Sequence, residues 1–116
     1  MGGLDSMHGV DQIPEADWKV LRSIRPVVLE RYCERILADV ASLVAGGEGT
    51  AEERYHALWE LLRSRDGMIA DALDDHRRSN ALLKIMNMRV GSMLTDEEYQ
   101  RLSEATRERV DHFLEP

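Results

Sequence analysis

The stretch Tyr55–Val90, YHALWELLRSRDGMIADALDDHRRSNALLKIMNMRV, decides how the rest of the chain is read. Every seventh residue from its start is Tyr55, Leu62, Ile69, His76, Leu83 and Val90, all apolar or aromatic except the histidine. Three positions further on in each repeat stand Leu58, Arg65, Ala72, Ser79 and Met86, and four further on Trp59, Asp66, Leu73, Asn80 and Asn87. A repeat of seven keeps one stripe of a helix facing one seam, as in coiled coils and bundles. Thr50 with Glu53 forms a capping box at the start, and Gly91 supplies the stop. The expectation is an all-α fold of antiparallel helical hairpins built on one central helix, about 51–90.

Such a helix is ~60 Å long at 1.5 Å per residue. A compact domain of this size has a radius of gyration of only ~13 Å. Either the helix breaks near Gly67, or the molecule is elongated and a second copy covers what the first leaves bare. Homodimerisation is the simpler of the two. On that reading Leu62 is a fully buried seam residue.

The flanks are read outward from this centre. Met1–Ile13 has turn formers and no periodicity, so it is expected to be a flexible arm, with a single helical domain over residues 14–116. Gly2 and Ser6 match an N-acylation pattern, but acidic residues follow where a lone acyl chain needs basic support. Pro14 opens a first helix, with Glu15 and Asp17 complementing its dipole. Its apolar beat runs from Trp18 to Val44 and keeps its phase across Pro26, where a kink or short break is expected. Gly46, Gly47 and Gly49 end it. Thr95 with Glu98 makes a second capping box, and the last helix carries Tyr99, Leu102, Val110, Phe113 and Leu114 on one face. Short connections force neighbouring helices antiparallel.

Composition narrows the function classes. A net charge of −7 over 116 residues argues against nucleic acid, which selects clustered Lys and Arg. The one cysteine, Cys33, suits a reducing cytoplasm. No apolar run approaches the ~20 residues that span a bilayer, and no export signal is read, so a membrane partner is not expected.

Arg65-Asp66, then Asp74-Asp75 with Arg77-Arg78-Ser79, then Leu94-Thr95-Asp96-Glu97-Glu98-Tyr99 resemble the pattern of a family of short, all-helical bacterial proteins of uncharacterised activity. Arg31-Tyr32-Cys33-Glu34-Arg35 is similar to the first helix of that family, so the resemblance covers most of Trp18–Leu114. It implies a bacterial, cytoplasmic helical protein and implies no activity.

Candidate chemistry is sparse. Glu53 and His56 form one Glu-x-x-His pair, whereas a di-iron bundle needs two pairs and two more glutamates. Asp71, Asp74, Asp75, Arg77 and Arg78 form the densest charge cluster, read first as a solvated ion-pair face and second as a partner-recognition patch. Arg65 with Asp66, and His76 with Ser79 and Asn80, interrupt the seam as polar layers. These layers either fix register and oligomeric state or line a pocket between helices. No nucleophile stands with its base, so no catalytic residue, cofactor or metal is expected. The reading is a non-enzymatic homodimeric interaction or adaptor module, with an unidentified protein partner allowed. The alternative is a small-molecule- or metal-binding bundle with its site at His76–Asn80.

Overall fold

The computed structural model describes residues 12–115. Among them lie five α-helices and no strand: α1 Glu15–Gly46, α2 Ala51–Leu73, α3 Ala81–Val90, α4 Asp96–Gln100 and α5 Glu104–Leu114, with one 3₁₀ turn at Arg78–Asn80. The expected flexible arm and the acylation pattern at Gly2 and Ser6 fall mainly on residues 1–11, outside the described residues. Ile13, which the sequence reading left in the arm, is instead buried in the core.

The central helix of 51–90 is not continuous, and it does not break at Gly67. It ends at Leu73, reverses through Asp74–Arg77, and α3 packs back on α2. Gly67 sits inside α2, and a side chain built there would meet nothing within 4 Å. The ~1 kcal/mol that glycine costs a helix is not enough to break one packed along α1. Pro26 likewise leaves α1 uninterrupted. The last helix is split, because Ser103 starts a helix of its own.

These elements divide the molecule into a base and a projecting arm. Its principal extents are 62 × 27 × 27 Å and its radius of gyration is 17.6 Å, well above the ~13 Å of a compact chain of this length. The core lies wholly in the base. It joins Leu21, Ile24, Val28, Tyr32 and Ile36 of α1 to Leu73, Ile85, Met88, Tyr99, Leu102 and Val110. The arm is the rest of α1 paired with α2 back from the Gly46–Gly49 turn. Cross-links between the two helices set an antiparallel register. Arg54 Nη1 donates to the Val44 carbonyl (3.2 Å), Arg65 Nη2 to Asp39 Oδ2 (2.6 Å), and Tyr32 Oη to Met68 Sδ (3.3 Å).

The base is closed by long-range polar contacts. Asp17, 2% exposed, accepts from Ser103 N (2.7 Å), Ser103 Oγ (2.6 Å) and Thr106 Oγ1 (2.6 Å), which fastens the start of α5 to α1. Arg31 holds both Glu98 and the Met93 carbonyl. Burial raises the Glu98 carboxyl, but its bonds from Arg31 and Thr95 outweigh that and leave it below the usual range. Tyr99 Oη lies 2.7 Å from Asp111 Oδ1, and Arg89 sits 4.0 Å above the ring. Burial and that carboxylate push the phenol up to about 12.

Both capping boxes form as the sequence reading expected. Thr50 and Thr95 each accept from the amide three residues on, and Glu53 and Glu98 accept from the cap amides. Thr50→Ala and Thr95→Ala are therefore expected to destabilise by about 1 kcal/mol each. Urea denaturation checks this; midpoints unchanged from the parent would show that the caps contribute nothing.

Candidate functional site

The residues singled out from the sequence fall into two separate places. His76, Ser79 and Asn80 are not a polar layer in a seam; with Asp74, Asp75, Arg77 and Arg78 they build the reversal between α2 and α3. Asp75 adopts a left-handed conformation (φ 53°), which a short carboxylate side chain tolerates better than most. Arg77 reaches back to Asp75 through Nε (3.2 Å) and Nη2 (2.8 Å). Asn80 Oδ1 accepts from Arg77 N, and Asn80 Nδ2 donates to the Asp75 carbonyl. Arg78 donates to the Ile13 carbonyl, and Ser79 is exposed.

The physical reason for the break lies in the last four carbonyls of α2, which no helix can satisfy internally. Each finds a side chain. Lys84 Nζ donates to Ala70 (3.1 Å) and Asp71 (3.0 Å), and Asn87 Nδ2 also donates to Asp71 (2.8 Å). His76 Nε2 is 2.8 Å from Ala72 O, and Arg25 Nε donates to Leu73 O at 2.6 Å. Two cations and a donor histidine at a helix C-terminus also complement its dipole.

Because a carbonyl only accepts, the Ala72 contact assigns the proton of His76 to Nε2. His76 Nδ1 is buried and has no partner. Burial lowers the affinity of this ring for a second proton; the Ala72 bond and Asp74 oppose the shift, and Arg25 and Lys84 add to it. His76 and Trp18 line one open cleft of about 350 Å³ with Arg22, Arg25, Pro26 and Asp75.

A histidine whose folded pKa is depressed stays neutral in the fold while the unfolded chain protonates first. Its contribution to stability is whole above about pH 6.5 and declines as pH falls below that value. The expected result is that His76→Gln, which keeps a donor, loses less stability than the parent between pH 7 and pH 5. An NMR titration of the parent ring with a midpoint at or above about 6.5 would refute the assignment.

The second place is the arm. Arg54, Leu58, Leu61, Arg65, Met68 and Ala72 are its inner residues, at least partly buried against α1. The seam is therefore rotated from the expected stripe of Tyr55, Leu62 and Ile69. Leu62 is 39% exposed rather than buried. Arg65 belongs to the seam and pairs with Asp39, whereas Asp66 points outward. Tyr55 (57% exposed), Trp59 (52%) and Leu62 form an uncovered apolar stripe. Val44 of α1 lines a cleft with Tyr55, and Ile36 lines another, of about 410 Å³, with Trp59, Leu62, Arg65, Asp66 and Ile69. Leu37, 67% exposed, lies seven residues before Val44 and so on the same side. The apolar flanks of both helices thus share one face.

Glu53 and His56 do not come together as ligands. Glu53 Oε1 accepts from Thr50 N, and His56 Nε2 stands 3.7 Å from Glu52. Among the described residues no three His, Cys, Asp or Glu side chains gather as a metal site would require. No described helix is long and apolar enough to cross a membrane. The sequence reading missed Asp17, which it took for a dipole-complementing acid. The only available signal was a short polar pair, Ser103 and Thr106, opening a late amphipathic segment. No family model matches the chain, and no curated protein or solved structure matches it.

Proposed function

We propose that this protein is a non-enzymatic, homodimeric helical interaction module, and that the arm is the part that associates. One observation carries this reading: a two-helix arm leaves Leu37, Val44, Tyr55, Trp59 and Leu62 bare on one face. Other exposed apolar side chains, Val27, Leu83, Val90 and Phe113, belong to the base and its flanks. Single exposed residues of that kind are ordinary on any surface, whereas a contiguous apolar face marks an interaction site. The resemblance of the Arg65–Val110 pattern to short bacterial helical proteins supports a bacterial cytoplasm as the setting.

Sedimentation equilibrium tests the reading. A mass of twice 13.3 kDa at micromolar concentration is expected, and the mass of one chain throughout would refute it.

The cleft beside His76 favours a second reading, a small-ligand site. Trp18 offers an aromatic face, and Arg22 and Arg25 offer cations. A small carboxylate suits that set. Displacement of the His76 and Trp18 NMR signals by millimolar carboxylates would favour this reading over the first; no displacement would remove it.

A further inference from the structure

The occupant of the arm face can be named from the face itself, and this step rests on the dimeric reading above. We infer that two copies join arm to arm in opposite directions, as a four-helix bundle whose two-fold axis crosses the arm at Leu62 and Val40–Ala41.

The spacing of the bare residues carries the inference. A two-fold interface uses the same patch on both copies, so the patch must be complementary to its own reversal. On α2, Tyr55 and Ile69 lie seven residues on either side of Leu62, and Trp59 and Arg65 lie three on either side. Reversal about Leu62 therefore sets Tyr55 of each copy on Ile69 of the other, and Trp59 on Arg65. On α1, Leu37 and Val44 straddle Val40 and Ala41 in the same way, so each meets the other across the axis. Both centres lie in the same segment of the arm, between the Asp39–Arg65 and Val44–Arg54 bonds.

The pairs fit chemically. The cleft at the middle of the face, about 410 Å³, has Ile36, Leu62 and Ile69 as apolar walls and the Arg65 guanidinium beside them. Arg65 is held by Asp39 through Nη2, and its side chain, 20% exposed, lines the cleft. An indole from the second copy fills such a cleft and lies beside the exposed part of the guanidinium, an attractive contact. Trp59, half exposed and set edge-to-face on Tyr55 at 6.5 Å, is the side chain able to do this. Asp66, the acid on the stripe, lies away from the axis, so the two copies of it stay apart. The opposite-direction arrangement also sets the two bases at opposite ends of the bundle.

The area suffices for a modest complex. The arm face is about 25 Å long and about 20 Å wide, from the helical rise and the spacing of packed helices. Two such faces remove roughly 1,000 Å² from water, the lower bound for a specific interface, so association in the micromolar range is expected.

The test uses the full chain carrying Cys33→Ser, with mass, folding and geometry read separately. Trp59→Glu is expected to weaken the dimer at least tenfold in sedimentation while leaving circular dichroism and thermal unfolding of the monomer unchanged. Leu62→Cys is expected to cross-link with a short thiol reagent, and Glu60→Cys, outside the stripe, is not. Spin labels at Glu48→Cys on the arm tip are expected about 20–35 Å apart. A dimer that survives Trp59→Glu without Leu62→Cys cross-linking overturns the arm-to-arm inference and leaves the dimeric reading standing. Tip labels at short distance overturn the direction. A parent that sediments as a single chain overturns both.

Discussion

Asp17→Ala is expected to destabilise the fold by about 3 kcal/mol, the largest polar effect in the molecule. The carboxylate is buried and accepts from one amide and two hydroxyls of the Ser103–Thr106 turn. A hydrogen bond to a charged group contributes about 1.5–3 kcal/mol, and a donor left buried without a partner costs about 1–3 more. These terms overlap, because the three donors act on one group, and their simple sum overstates the loss. Ser103 Oγ would still accept from Thr106 N, which limits the damage to the start of α5. Asp17→Asn is expected to lose less, since the amide oxygen keeps one acceptor and the hydroxyls can rotate to accept from its nitrogen. Urea denaturation of the three chains checks the order. A loss under about 1 kcal/mol for the alanine variant would mean that water replaces the carboxylate and that the clamp is not what closes the base.

Ile85→Ala is expected to cost about 2–5 kcal/mol, and Leu62→Ala less than about 1 kcal/mol when measured on the monomer. Ile85 is fully enclosed in the base on α3, which packs against α2 and α5, so its removal leaves a cavity as well as lost burial. Leu62 lies on the bare side of the arm and has little to lose within one chain. Seven-residue periodicity puts Leu62 on the seam and Ile85 off it, so the pair separates periodicity from packing. Equal losses for both variants at concentrations where only monomer is present would show that the arm face is covered within the chain.

Much of the architecture is legible in the sequence because it rests on local chemistry. The two capping boxes, the glycine turn and the antiparallel pairing all follow from residues within a few positions of one another. The rotation of the arm seam was not legible: Leu58, Leu61, Arg65 and Met68 make as regular a three-and-four spacing as the stripe beginning at Tyr55. Arg65 in particular reads as a misfit until Asp39 is seen across from it. The reversal after Leu73 was hidden for a different reason. Neither glycine nor proline marks it, and the groups that stabilise it, Arg25, Lys84 and Asn87, are 13 or more residues from the carbonyls they satisfy. The candidate residues around His76 were thus found as a set and misplaced as a layer. Their hydrophilicity belongs to a turn.

The Asp17 clamp also bears on the order in which the fold is completed. It joins residues 86 and 89 positions apart, the longest-range hydrogen bonds among the described residues. The arm, by contrast, is made of contacts between neighbours across a single short turn. Folding rates fall as contacts become more distant in sequence, because loop closure precedes the reward. The hairpin can therefore assemble early, while the base waits for the final helix. A chain leaving the ribosome at about 5–20 residues per second would present a formed arm for some seconds before its base could close. During that interval a carboxylate destined for burial remains hydrated, and the apolar side of the hairpin is already available to a neighbouring chain on the same message.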